Sequence, residues 1–226
     1  MTEYIPPGQV KEFRSRMKQV FGVNVVSMTL GLVNELGFGH SAMGFNQLAM
    51  ESVDTSMVLG LNATEKLDAK KKHRLAVRGR QALYAMHIGI ALLGTAESAR
   101  LIHEHEVPSP ANIAISTVVA GINADIIRRE RKAAKKMDQA TTLPEVTNTQ
   151  GVEVAQYRMN EQGVMSIAWT NVAESVGGLA SGLETVIPYA SPVSAIASNI
   201  AVVGIMGRQI IHEERMLRQS EQVERL

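Results

Sequence analysis

Long apolar segments alternate with short charged or turn-forming segments along the whole chain. Each apolar segment is close to the ~20 residues that cross a hydrocarbon core as a helix, and Gly or Pro residues mark several of the breaks between them. The pattern predicts helices at residues 20–37, 42–62, 80–102, 110–128, 163–183 and 187–211. The sequence therefore predicts an all-α fold with six helices.

The positions of Lys and Arg predict how these helices cross a membrane. Basic residues are concentrated in four regions: 11–18, 66–80, 128–136 with Arg158, and 208–225. Between those regions Arg100 is the only basic residue. Because Lys and Arg near the ends of spans resist translocation, loops rich in them remain cytoplasmic. The predicted fold class is a six-helix transmembrane bundle, a multi-pass integral membrane protein with both its N- and C-termini cytoplasmic.

The same pattern divides the chain into three parts. Residues 1–19 are predicted to form a cytoplasmic N-terminal segment, 20–211 the six-span transmembrane domain, and 212–226 a short, charged cytoplasmic helix. The longest connection, at about 129–162, contains a stretch at 141–151 that is rich in Thr, Asn, Gln, Pro and Gly. Such a polar stretch predicts a cytoplasmic loop.

Composition narrows the possible partners and chemistry. The formal net charge of +1 gives no reason to expect nucleic-acid binding, and the absence of Cys excludes disulfides and thiolate metal ligands. No nucleophile–base pair, phosphate-binding glycine loop or dinucleotide-binding motif is present, so the sequence predicts neither an enzyme nor an organic cofactor. The 45% hydrophobic content and the scarcity of Trp and Tyr also fit a soluble helical bundle, which stays open as an alternative.

Acidic residues inside the predicted spans are the main sign of function. The second span contains Glu51 and Asp54, and the fifth contains Glu174. A central Asp costs about 2.5–3.5 kcal/mol on membrane-insertion scales, and two acids cost more than the Leu, Phe and Val side chains of the second span recover. These carboxylates should therefore face the interior of the bundle, where an ionisable group indicates a functional site.

Several segments, in the same order, resemble the membrane domain of the cation diffusion facilitator family over about residues 15–212. They are residues 41–42 with 46–54, 78–83, 97–101, 123–136, 168–174 and 188–193. The resemblance implies six spans with both termini in the cytoplasm, and transport of divalent metal cations in exchange for protons. A homodimer or other membrane-complex partners are expected as well.

In that family the transport site has a His or Asp four residues before an Asp on the second span, and a His four residues before an Asp on the fifth. At the matching positions this chain has Met50 with Asp54, and Thr170 with Glu174. Only the two acids are strong ligands, and two neighbouring groups could substitute for the rest. The resemblance therefore implies a metal site at Asp54, Glu174, Met50, Thr170, Glu51 and Asn171.

The ligand types favour some cations over others. Tetrahedral zinc prefers nitrogen and sulfur ligands, whereas two carboxylates with a thioether, hydroxyl or amide suit manganese or iron(II). The sequence therefore predicts that Mn or Fe is favoured over Zn. His40 and His87 are interpreted as packing or hydrogen-bonding residues rather than as ligands.

The expected function is proton-coupled antiport of a divalent metal cation. A cation and protons would compete for the same carboxylates, which couples their movements, and rocking of helix pairs would expose the site to each side in turn. The incomplete ligand set leaves open a second interpretation, a non-transporting membrane scaffold or accessory subunit derived from the same fold. The expected partners are the lipid bilayer, the metal ion and protons, with no nucleic acid.

Overall fold

Six long helices make up almost all of the described chain. The computed structural model describes residues 7–38, 42–69, 73–100, 110–140 and 148–223. The helices are α1 Pro7–Phe38, α2 Ala42–Ala69, α3 His73–Arg100, α4 Pro110–Ala140, α5 Asn148–Ser181 and α6 Ala190–Val223. A short 3-10 helix at Gly182–Thr185 follows α5, and no strand occurs within these ranges. The predicted all-α class is confirmed.

The helices extend beyond the apolar segments that predicted them. They contain 28 to 34 residues each. The basic segment 128–136 continues α4 to Ala140, and α5 begins at Asn148, so much of the predicted 129–162 loop is helical. Arg, Lys, Ala and Glu are strong helix formers, so charge ends an apolar pattern without ending a helix. Residues 212–223 likewise continue α6.

The six helices form a closed ring with further contacts across its interior. Around the ring, the contacts run α1–α2–α3–α6–α5–α4 and back to α1. In addition, α5 contacts both α1 and α2 directly. The contact between α2 and α5 places the helix that carries Asp54 against the helix that carries Glu174.

Many polar side chains are buried inside this ring together with an apolar cluster, and many large apolar side chains are exposed on its outside. Buried polar residues occur on every helix, among them Asn24, Asp54, His87, Asn123, Asn171 and Asn199. Exposed large apolar residues also occur on every helix, among them Val33, Leu59, Leu93, Val118, Val176 and Ile200. Water-soluble helical domains bury one apolar stripe and expose the polar one. The polarity of this bundle is therefore partly reversed.

Only α6 passes a test of length and apolar composition for a membrane span, among the helices described. The candidate span covers Ala190–Arg218, and just 33% of its most apolar 18-residue stretch is buried inside the bundle. An apolar core helix of a soluble protein would be mostly buried. The six-span assignment stays a prediction.

A buried polar network joins α3 to α6 and α5. Nε of Arg80 donates to Oε2 of Glu213 at 3.0 Å, and neither side chain is exposed to solvent. The Tyr84 hydroxyl donates to Oε1 of the same carboxylate at 2.9 Å. On α6, the Gln209 amide approaches Glu213 and accepts a hydrogen bond from Ser166 of α5. Removing any one of these side chains takes a hydrogen bond from a neighbouring group that stays buried.

The connection into α6 is held by a buried carboxylate. Glu184, in the short 3-10 helix, accepts hydrogen bonds from the backbone N–H groups of Tyr189 at 3.0 Å and Ser191 at 2.7 Å. These amides lie at the start of α6, where the first N–H groups have no partner within the helix. Tyr189 has a φ of 67°, a left-handed conformation that non-glycine residues rarely adopt. The Glu184 contacts help to hold this turn.

Candidate metal centre

Three ionisable side chains from three helices converge inside the ring. Asp54 lies on α2, His87 on α3 and Glu174 on α5. One potential ligand atom from each lies within 4.8 Å of the others. The convergence follows from the fold, because α2 packs against both α3 and α5. The three residues lie far apart in the sequence, so only the packing of the helices brings them together.

The imidazole of His87 lies between the two carboxylates. Its Nδ1 is 3.3 Å from Oδ1 of Asp54, and its Nε2 is 3.6 Å from Oε1 of Glu174. Nδ1 also lies 3.0 Å from the thioether sulfur of Met57. The side chains of Asp54 and His87 are fully buried, and that of Glu174 is 10% exposed. The group is therefore shielded from bulk solvent.

The Glu174 carboxylate lacks hydrogen-bond partners within the described part of the protein. Neither of its carboxylate oxygens has a hydrogen-bond partner among the described residues, and the same holds for Nε2 of His87. No Lys or Arg in the described ranges pairs with this carboxylate. Buried carboxylates without partners are costly, and most buried polar atoms in proteins are satisfied by protein, water or an ion. A cation between Glu174 and His87 would satisfy both groups.

The other candidate ligands from the sequence lie in different surroundings. Met50 is buried in the main apolar cluster, and the Thr170 hydroxyl donates to the backbone carbonyl of Ser166 at 2.9 Å. Neither is part of the converging group. The Glu51 side chain is outside the described residues, although its backbone belongs to α2. His40 is also outside the described ranges.

Asn171 belongs to a separate cluster of amides. Its Nδ2 donates to Oδ1 of Asn24 on α1 at 2.8 Å and to Oδ1 of Asn123 on α4 at 3.1 Å. Nδ2 of Asn123 donates in turn to the backbone carbonyl of Val119. These hydrogen bonds connect α1, α4 and α5 in the interior of the bundle. Oδ1 of Asn171 and Nδ2 of Asn24 have no hydrogen-bond partner among the described residues.

His87 is the member of the group that motif comparison missed. The resemblance directs attention to the second and fifth spans, whereas His87 lies on the third helix. A usable signal was nevertheless present, because an ionisable residue within a predicted span is by default a functional candidate. Treating His87 in the same way as Asp54 and Glu174 would have identified all three.

The donor set has a defined chemical capacity. Two carboxylates and one imidazole suit first-row divalent cations, including zinc, manganese and iron(II). Only one imidazole nitrogen can bind a given ion. A carboxylate oxygen from each acid and one imidazole nitrogen all lie within 4.8 Å of one another, so the three side chains could bind a single ion.

Comparisons of this chain with models of known protein families, with characterised proteins and with solved structures find no match. The function must therefore be argued from the geometry and chemistry of the chain itself.

Proposed function

We propose that this protein is a multi-pass membrane transporter of divalent transition-metal cations, with Asp54, His87 and Glu174 as its substrate site. The observation that carries the proposal is their convergence, with both oxygens of Glu174 left without a hydrogen-bond partner. Two buried acids and an imidazole are costly to bring together unless they bind something. A divalent cation offsets that cost because it neutralises both carboxylates.

The membrane part of the proposal rests on the reversed polarity of the bundle. Exposed apolar side chains include Leu93 at 71% and Ile200 at 60%, on helices whose inner faces carry His87 and Asn199. Large exposed apolar surfaces indicate contact with a partner or a membrane, and charged groups within membranes face the bundle interior. Lipid around all six helices accounts for both observations.

Proton coupling follows from the chemistry of the three ligands. A metal ion binds carboxylates and imidazole only in their deprotonated forms, so protons and metal compete for the site. Lowering the pH on one side releases the ion there, and a cation arriving from the other side displaces protons. The contact between α2 and α5 crosses the centre of the ring. Relative movement of these helices would open the site alternately to each side.

The imidazole changes the expected choice of cation. The preference for Mn or Fe over Zn assumed ligands without nitrogen, and His87 supplies one. Zinc binds readily to one imidazole with carboxylates, and its affinity for such ligands exceeds that of manganese and iron(II). The proposed substrate class is therefore a divalent transition-metal cation, and zinc belongs to it as much as manganese and iron(II) do.

A flux measurement tests this function. Purified protein in sealed liposomes with an imposed pH gradient is expected to move Mn²⁺, Fe²⁺, Zn²⁺ or Cd²⁺, and collapse of the gradient should abolish accumulation. The isosteric variant Asp54→Asn is expected to reduce flux to that of protein-free liposomes, since a neutral amide is a poor ligand. The matched control is Glu97→Gln on α3, whose carboxylate is partly exposed and paired with Arg100. Equal flux from wild type and Asp54→Asn would exclude transport through this site.

The alternative is a membrane scaffold that does not transport. It is favoured by one observation, the placement of the imidazole between two carboxylates, because a protonated His87 would satisfy both acids without a metal. A chain that stays in the bilayer after alkaline carbonate extraction but gives no flux with any of the four cations would support the scaffold. Release of the chain by carbonate would favour a soluble bundle.

A further inference from the structure

A cavity lies between α4 and α5, and none of its lining residues belongs to the candidate metal centre. Its volume is about 400 Å³. Its apolar wall consists of the side chains of Ala124, Ile127 and Val172. Its basic and aromatic lining residues are Arg128, Arg131, Lys132 and Trp169. The cavity thus combines three cationic groups, one indole ring and an apolar wall.

The positive charge of this cavity is only partly balanced. Arg128 donates to Asp125 of its own helix at 2.7 Å. By contrast, Arg131 and Lys132 form no ion pair with any described carboxylate. The Arg131 guanidinium instead lies over the Trp169 ring, 5.3 Å from its centroid. This cation–π contact orients the guanidinium without neutralising it, so among the described side chains the cavity lining retains net positive charge.

The cavity lies where the apolar part of α4 gives way to its basic part. Val118 and Ile122 are exposed on the apolar part, and the Lys- and Arg-rich segment begins at Arg128. In a membrane, this transition corresponds to the layer of lipid phosphates, where Trp is enriched because its ring is apolar and its N–H polar. Trp169 is exposed, with 36% of its surface accessible to solvent.

We propose that this cavity binds the phosphate group of an anionic phospholipid, with the start of an acyl chain against the apolar wall. Basic pockets between membrane helices on the cytoplasmic side bind anionic head groups. Arg presents two parallel N–H groups to phosphate oxygens, and Lys adds a point charge. The inference rests on the membrane placement in the proposed function and is independent of metal transport.

The chain provides its own reporter for this site, because Trp169 is its only Trp. Protein is reconstituted in phosphatidylcholine bilayers, and Trp fluorescence is followed as brominated phosphatidylglycerol or brominated phosphatidylcholine is added. Bromine quenches only on contact with the indole. Quenching at a lower mole fraction by the anionic lipid is expected. The double variant Arg131→Gln with Lys132→Gln should raise the phosphatidylglycerol fraction needed by about 25-fold, at about fivefold for each charge.

The control variant is Arg74→Gln, an exposed basic residue on α3 outside this cavity, which should leave the preference for anionic lipid unchanged. Equal quenching by the two brominated lipids, or an unchanged preference in the double variant, would overturn the lipid site and leave the transport proposal intact. Relief of quenching by millimolar inorganic phosphate would assign the site to free phosphate and also overturn it. Quenching by neither lipid would refute the site together with the membrane placement.

Discussion

Replacement of Glu174 by Gln is expected to weaken the binding of Zn²⁺ or Mn²⁺ by at least about 100-fold. Loss of groups that merely orient metal ligands costs 10- to 100-fold in affinity, so loss of a ligand should cost at least the upper value. The amide keeps the size of the side chain and removes the charge that a cation would neutralise. Isothermal titration calorimetry of the detergent-solubilised protein at neutral pH measures this change, and circular dichroism checks that the variant is folded.

Three further variants show which residues form the site. Met50→Leu and Thr170→Val are expected to leave the dissociation constant within about threefold of wild type, because these side chains lie outside the converging group and Met-to-Leu exchange is well tolerated. The surface variant Glu97→Gln should behave in the same way. An affinity loss for Met50→Leu or Thr170→Val as large as that for Glu174→Gln would instead favour the ligand set suggested by the family resemblance.

Replacement of Glu213 by Ala is expected to lower the free energy of unfolding by about 3–5 kcal/mol, because it breaks a buried ion pair and removes the carboxylate that faces the Arg80 guanidinium. Tyr84 loses its hydrogen-bond acceptor in the same step. The loss is measured from denaturant-induced unfolding in detergent, followed by circular dichroism. The double variant Arg80→Met with Glu213→Leu should recover most of the lost stability, since apolar replacement of both members of a buried pair is often neutral or better.

An exposed ion pair supplies the comparison for Glu213. Arg128 on α4 pairs with Asp125, and 68% of the Arg128 side chain is exposed. Arg128→Gln should therefore change stability little, because water screens such pairs. If Glu213→Ala proves as mild as Arg128→Gln, or if the double variant is less stable than Glu213→Ala, the carboxylate does not act as the centre of the buried network.

The helices were predictable from sequence because their apolar segments are long and well separated. Each of the six predicted segments overlaps one observed helix, and residues 42–62 share their starting point with α2. The ends were less predictable. Basic residues at 128–136 continue α4 because their helix propensity is high, whereas the hydrophobic pattern detects only the apolar part of the helix.

The candidate site was only partly predictable because it depends on helix packing. Asp54 and Glu174 stand out, since each is an acid in an apolar segment, and the structure brings them together. His87 joins them because α2 packs against α3, a contact that spacing along one helix does not encode. Asn171 shares a helical face with Glu174 in sequence terms, yet it bonds to Asn24 and Asn123. Helix packing, rather than spacing along one helix, determines which polar side chains form hydrogen bonds with each other.

The central claim is that Asp54, His87 and Glu174 together hold a divalent cation, and X-ray absorption spectroscopy of zinc-loaded protein tests it most directly. At one equivalent of Zn²⁺, the account predicts nitrogen and oxygen neighbours at about 2.0–2.2 Å and scattering from one imidazole. The chain contains six His residues, so the same spectrum is recorded for His87→Gln, in which the imidazole contribution should disappear. An imidazole signal that persists in His87→Gln, or its absence from the wild-type spectrum, would contradict the account.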